Sequence, residues 1–265
     1  MILAIEIDNS KINFGIFNSD GLLTTTFGIS ADTTKTSDEY AILIDGIFNF
    51  YKIERSSIKG IVLCSVVPML TDVIYNLLNQ LFSDIRIIKV EKGIKTFFSI
   101  KVDNPSELGA DLVANATAVI AINAEEKKLN KPSIIIDVGT ATTIFALNEK
   151  NEFIGGSILP GIAMSFNALH GNTAQLPNVA LIAPVKAIGK NSQESMRSGV
   201  ILGTAIMIDG FIKKFSTELK REDIDVFITG EYAQTILYLS SSKYRYIPNL
   251  TLYGLFCIYK NNSHK

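Results

Sequence analysis

Apolar and polar positions fall along this chain in an order that occurs twice. Short apolar runs at 2–7, 12–18 and 22–28 predict three consecutive strands, with Asn18-Ser19-Asp20-Gly21 as the tight turn between the second and third. Thr36-Ser37-Asp38-Glu39 is a capping-box pattern, and the apolar residues after it (Ile42, Leu43, Ile47, Phe48, Tyr51) recur at helical spacing. Ile61–Val67 predicts a buried strand stopped by Pro68, residues 70–83 a helix, and Ile85–Val90 another strand. Asn104 and Pro105 predict the cap and first turn of a helix running through Ala121. After a charged connector, Lys127–Pro132, the order starts again. Strands are predicted at 133–137, 142–148 and 153–158, with a turn at 148–152. Helices follow near 161–170 and 191–219, then a strand at 225–229 and a last helix near 250–260.

Two segments look like one device written twice. Residues 5–18 and 136–148 superimpose on Glu6 and Asp137, with Phe14 over Phe145 and Ile16 over Leu147. Each copy has an acid at the end of a strand, a short polar loop and a second strand. In the second copy Gly139 and the threonines after it can let backbone and hydroxyls approach a phosphate. In the first, Asp8 falls on the place of Gly139. Strand–strand–strand, helix and strand given twice predict a duplicated mixed α/β architecture with a cleft lined by acid-ended strands. That layout resembles the ribonuclease H-like superfamily that joins actin, sugar kinases and heat-shock ATPases. The expected domains are 1–115 and 116–265.

Composition narrows the function classes. An apolar share of 47% against 19% charged residues supports a sizeable core and argues against disorder. A net charge of −1 gives no electrostatic footprint for nucleic acid or an anionic membrane, so neither is an expected partner. Cys64 and Cys257 sit in apolar runs and predict buried thiols in a reducing, cytoplasmic setting. Glu6 inside the first apolar run argues for a strand and against a signal peptide, and no stretch is expected to span a bilayer.

Several blocks then occur in order: Cys64-Ser65-Val66-Val67-Pro68; Asn104-Pro105 with Leu108-Gly109-Ala110-Asp111; Asp137-Val138-Gly139-Thr140-Ala141-Thr142-Thr143; Gly155-Gly156-Ser157-Ile158-Leu159-Pro160-Gly161; Thr173-Ala174-Gln175-Leu176-Pro177; Ile188-Gly189-Lys190-Asn191-Ser192; Ser198-Gly199; Asp209-Gly210; and Leu250-Thr251-Leu252-Tyr253-Gly254-Leu255. Together they resemble the type III pantothenate kinases, related to the Bvg accessory factor proteins. The resemblance implies ATP-dependent phosphorylation of pantothenate to 4'-phosphopantothenate, with Mg²⁺, a monovalent cation (K⁺ or NH₄⁺) and a homodimer.

The same resemblance assigns residues. Asp111 matches the proton acceptor. From the residues alone, a carboxylate among Ala, Leu and Val suits a base of raised pKa, and an exposed helix Asp is the plainer alternative. Asp137 matches the monovalent-cation ligand, and Thr140, with Gly139 and Thr142, the ATP contact. Glu6, Asp8, Asn9, Ser10 and Lys11 occupy the first phosphate motif, Glu6 on the Mg²⁺ side. Gly109, Ala110, Asp111, Gly161 and Ser192 match substrate positions, as do Val102, where a Tyr is expected, and Leu112, where an Arg is expected. Glu231 replaces the second Gly of a turn near adenosine. Asp8 replaces a Gly, and two like charges about 4 Å apart repel by ~4 kcal/mol at an effective dielectric near 20. Two alternatives stay open: a catalytically impaired protein that binds a metabolite or acts as an accessory factor, and a kinase of the same fold with a changed substrate.

The remaining features have plainer expectations. Gly199 and Gly203 predict close helix packing, His170 a helix cap, Tyr238, Tyr244 and Tyr246 surface packing, and Glu125–Lys128 a solvated charge run.

Overall fold

The computed structural model describes residues 1–128 and 130–263; Leu129, inside the expected connector, lies outside the described residues. The chain divides into two compact units. One comprises Met1–Phe97, Asn104–Glu125 and the chain from Leu250; the other comprises Phe98–Asp103 and Glu126–Asn249. The expected boundary at 115/116 falls inside a helix, Ala110–Glu125, that belongs whole to the first unit because it packs along the C-terminal helix.

In the first unit β1 (Ile2–Ile7), β2 (Lys11–Phe17) and β3 (Leu23–Ser30) form an antiparallel meander. β4 (Gly60–Ser65) and β5 (Ile87–Lys89) extend it in parallel beyond β1, giving the order β3-β2-β1-β4-β5. Alternation sends Leu3, Ile5, Ile7, Ile12, Phe14 and Ile16 to one core with Tyr40, Ile44 and Phe48 of α1 (Ser37–Phe50) and Leu70, Ile74 and Leu77 of α2 (Pro68–Leu81). Each such side chain contributes ~1.5–3 kcal/mol on burial. The capping box of α1 forms as expected: Glu39 N donates to Thr36 Oγ1 (3.3 Å) and Thr36 N to Glu39 Oε2 (2.8 Å). The Cys64–Pro68 block joins β4 to α2: Val67 N and Thr71 Oγ1 both donate to Ser65 Oγ (3.0 and 2.7 Å).

In the second unit β7 (Ser133–Val138), β8 (Ala141–Leu147) and β9 (Glu152–Pro160) repeat the meander, and β10 (Asp225–Thr229) and β11 (Arg245–Tyr246) extend it in parallel. The order is β11-β10-β7-β8-β9-β6, where β6 (Ser99–Ile100) adds to the far edge. Without β6 the two sheets have the same order, which is the duplicated ribonuclease H-like arrangement. The register corrects the alignment between copies. Glu6 pairs with Asn13 and Asp137 with Thr143, so Phe14 corresponds to Ile144 and Ile16 to Ala146. The first loop is one residue longer, Asp8-Asn9-Ser10 against Gly139-Thr140. With that gap the bulges coincide, at Ile16/Phe17 and at Ala146/Leu147.

The first unit also holds α3 (Ala110–Glu125) and α8 (Leu250–Asn262); the helices of the second unit are α4 (Ile162–Gly171), α5 (Ser192–Arg197), α6 (Gly203–Leu219) and α7 (Ala233–Leu239). A wide turn, Ser198–Leu202, joins α5 and α6 into one helix, Ser192–Leu219. Contrary to expectation, this helix is long and apolar enough by length and composition to cross a membrane. Here its Met196, Val200, Ile201, Ala205 and Ile208 enter the core of the second unit with Ile134, Ile136, Val138 and Ile144. Gly199 and Gly203 do not mediate close packing: Gly199 has nothing within 4 Å of a would-be Cβ, and Gly203 only a distant carbonyl of its own helix. Gly199 lies within the wide turn instead, and Gly203 directly follows it. Asn104 and Pro105 do not open α3 either. They form a separate short turn, Pro105–Glu107, with Ser106 N donating to Asn104 Oδ1 (3.3 Å), and the helix proper starts at Ala110.

Candidate active site

In the first unit, the face of the sheet opposite α1 and α2 carries Glu6 on β1 and Cys64 directly beside it on β4. Asn13, opposite Glu6 on β2, donates from Nδ2 to Glu6 Oε2 (3.0 Å). Asp8 follows in the loop, its N–H donating to the Lys11 carbonyl (2.9 Å). Asp111 stands in the first turn of α3. Its Oδ1 is buried without a hydrogen-bond partner. Burial pushes the Asp111 carboxyl up; the backbone N–H groups of Leu112 and Asp111 itself offset part of this, and the charge of Asp8 raises it further. The Cys64 thiol is pushed well up by burial and then by the carboxylates of Glu6, Asp111 and Asp8, so it is an inert neutral group. Sequence brings Glu6, Asp8 and Asp111 together from β1, a loop and α3, and one electrostatic neighbourhood results. Gly109 forms its floor: a Cβ there would lie inside 3.0 Å of Asp111 Oδ1.

The second unit holds Asp137 on β7 with Thr143 opposite it on β8. A Cβ on Gly230 would lie inside 3.0 Å of Asp137 Oδ1 and of the Val138 backbone, and Gly230 has φ +102, so glycine is required there twice over. Thr143 Oγ1 is buried without a partner beside this carboxylate. Thr143 is the residue that sequence reasoning passed over; strand alternation was the available signal, since it shares the face of Asp137. Thr142 points the other way, with Ile144, and is fully buried with an unpaired hydroxyl, closed off from any ligand in solvent. The Gly139-Thr140 loop abuts α4: a Cβ on Gly161 would lie inside 3.0 Å of both their carbonyl oxygens. Gly161 caps α4 without a side-chain hydrogen bond, leaving the N-terminal amides of α4 next to the loop.

The other expected positions are spread out. Asn9, Ser10 and Lys11 are exposed on the first loop and the start of β2. Ala110 and Leu112 flank Asp111 on α3, whereas Val102 follows β6 in the second unit. Ser192 is the first residue of α5, whose Asn191 cap accepts from Glu194 N (2.9 Å). Glu231 follows Gly230 after β10. His170 does not cap its helix; its Nδ1 donates to the Leu176 carbonyl (2.7 Å) and ties down the following loop. Tyr238 is exposed, but Tyr244 is structural: with Ser240 and Ser241 it donates to Asp209, which explains the Asp209-Gly210 block. The charge run is paired rather than merely solvated, since Glu126 meets Lys128 and Arg245 and Glu125 accepts from Tyr253.

A family profile described as type III pantothenate kinase matches residues 2–214. The type III pantothenate kinase of Thermobifida fusca is 34% identical over 265 residues, covering 99% of this chain and 100% of the relative. That of Exiguobacterium sp. strain AT1b is 38% identical over 271 residues, covering 99% of each. Among solved structures, a putative 2-dehydro-3-deoxygalactonokinase from Sinorhizobium meliloti aligns with TM-score 0.58 at 12% identity, covering 98% of this chain and 99% of the other. A putative N-acetylglucosamine kinase from Porphyromonas gingivalis aligns with TM-score 0.51 at 12% identity, over 99% and 100% of the two chains. At that identity the structural likeness concerns the fold.

Proposed function

This chain belongs to the type III pantothenate kinase family, and from that footing we propose that Asp111 is the base of its reaction. The family reaction is ATP-dependent phosphorylation of pantothenate to 4'-phosphopantothenate, the first step of coenzyme A biosynthesis. The observation that carries the assignment is the buried Asp111 Oδ1 with no protein partner, on a carboxyl whose affinity for a proton is raised by burial. Such a group accepts the proton of a substrate hydroxyl more readily than an ordinary carboxylate does.

Kinase chemistry brings ATP with a divalent cation. Among the described residues no group of three or more His, Cys, Asp or Glu could enclose a metal ion. The donor set instead suits Mg²⁺, which is held by one or two carboxylates with phosphate oxygens and water. Glu6 and Asp8 are the carboxylates that would hold it, and it would neutralise charge on the nucleotide phosphates. Asp8 then faces a cation rather than a bare phosphate. The Gly139-Thr140 loop and the start of α4 offer backbone to anionic oxygen. Asp137 and the unpaired Thr143 hydroxyl suit a monovalent cation, K⁺ or NH₄⁺. Gly109, Ala110, Leu112, Val102, Gly161 and Ser192 are the positions assigned to pantothenate. Leu112 offers no cation to the substrate carboxylate, so recognition there rests on other donors.

A homodimer completes the reading, supported by exposed apolar side chains on the second unit: Ile158, Val185, Ile188 and Ile206 are each more than half exposed. Free buried Cys64 and Cys257 suit a cytoplasmic location. Incubation with MgATP and pantothenate, read by ³¹P NMR, tests the activity. A phosphomonoester on the primary hydroxyl is expected, and its absence at millimolar ATP would overturn the reading.

A further inference from the structure

We propose that Thr251 and Asn115, a buried hydrogen-bonded pair between α8 and α3, are positioning residues for Asp111. The proposal rests on the assignment of Asp111 as the base. Asp111 Oδ1 has no hydrogen-bond partner and the backbone N–H groups that act on the carboxyl, those of Leu112 and Asp111, belong to the first turn of α3 itself, so the place of that carboxylate is set by the pose of α3 and by the floor at Gly109. The buried residues of α3 are mostly small or short, among them Val113, Ala114, Ala116, Ala118 and Val119. Helices meeting through such a surface can shift along one another with little change in apolar burial. Two features of α8 prevent that. Gly254 lets it touch α3 backbone to backbone, since a Cβ there would lie inside 3.0 Å of the Ala114 carbonyl. One turn earlier, Thr251 Oγ1 donates to Asn115 Oδ1 (2.9 Å), with Asn115 0% and Thr251 5% exposed.

Asn115 lies one turn along α3 from Asp111, on the same side of the helix. Sliding α8 by a residue would break the Thr251–Asn115 bond where both residues are buried from water that could replace it. A polar pair in an apolar seam acts chiefly on register, as single buried Asn residues do in coiled coils. The Leu250–Leu255 block acquires a purpose on this reading: Thr251 sets register, Gly254 allows close approach, and Leu250, Leu252 and Leu255 are buried, Leu252 against Gly15 of β2.

The test is the double variant Asn115→Leu/Thr251→Val, which removes both members of the pair together. It is expected to fold with a melting temperature near that of the parent, to lose about tenfold in kcat with KM for ATP within twofold, and to move the acidic limb of the pH profile of kcat/KM. Thr251→Ser keeps the hydroxyl and is expected to retain parental kcat. Parental kcat and pH profile in the double variant would overturn the proposal. Failure of the double variant to fold would also overturn it, because the pair would then be a requirement of the fold and not of the pose of Asp111. Asp111→Asn, measured alongside, separates the two assignments: parental activity there removes the base, whereas loss there with retention in the double variant removes only the positioning role.

Discussion

Asp8 and Gly139 hold corresponding places after β1 and β7, and each donates its N–H across its turn, to the carbonyls of Lys11 (2.9 Å) and Ala141 (3.1 Å). The two loops differ in what they present to a ligand. A Cβ on Gly139 would meet its nearest neighbours at 3.4 and 3.8 Å, ordinary contact distances. The backbone at this place therefore accommodates a side chain, and the charge of Asp8 acts on Asp111.

Asp8 adds to the raised proton affinity of Asp111, as a smaller cause than burial. Removing its charge in Asp8→Asn should move the acidic limb of kcat/KM to lower pH, by less than about one unit, each unit being ~1.4 kcal/mol. A pH–rate series on both proteins checks this. An unmoved or raised limb would contradict the contact between their charges.

Gly109→Ala puts a methyl where Asp111 Oδ1 now lies. The next neighbours are at 3.5 and 3.8 Å, so the carboxylate alone must swing away, a cheap motion for the fold and a costly one for a positioned base. The melting temperature should change by no more than a few degrees while kcat falls on the order of 10–100-fold. Calorimetry and steady-state kinetics on the same preparation separate the two effects.

Gly139→Ala and Gly230→Ala should part company in stability. The first meets ordinary contacts; the second meets the Asp137 carboxylate and the Val138 backbone at positive φ. Gly230→Ala is expected to cost about 1–3 kcal/mol or more, and Gly139→Ala less than ~1 kcal/mol. Chemical denaturation of both variants reads the difference.

The duplication was legible because strand patterns and acids recur, but its alignment was not. Equating Phe14 with Phe145 assumed loops of equal length. Only the pairing of Glu6 with Asn13 and of Asp137 with Thr143 reveals the extra residue. The gapped alignment also matches the hairpin tips. Asn18 Oδ1 accepts from the N–H groups of Asp20 and Leu22 (3.0 and 2.9 Å), and Asn148 Oδ1 from those of Lys150 and Glu152 (2.9 Å each). The run Thr140-Ala141-Thr142-Thr143 does not itself say which hydroxyl serves a ligand, and a one-residue difference in strand phase decides which one faces Asp137. β6 escaped notice because two residues carry no period, and the seam between α3 and α8 because long-range packing leaves no local pattern.

Asp209 gives a pH signature unrelated to catalysis. Partial burial alone would raise its carboxyl; donation from Ser240, Ser242, the Ser241 N–H and Tyr244 outweighs this and holds it below the usual range. A lowered folded value means stability that is present above the unfolded value near 3.8 and is lost as pH falls through the folded one. Asp209→Asn should cost about 1–2 kcal/mol at pH 7, with the difference from the parent shrinking below pH ~3.8. Urea midpoints across that range check it.

Steady-state, pantothenate-dependent release of ADP from MgATP, compared between the parent and Asp111→Asn, bears most directly on the central claim. The parent should turn over, and Asp111→Asn should lose on the order of 10²–10⁴-fold in kcat with KM for ATP nearly unchanged. A parent without pantothenate-dependent turnover, or an Asp111→Asn variant at the parental rate, would contradict it.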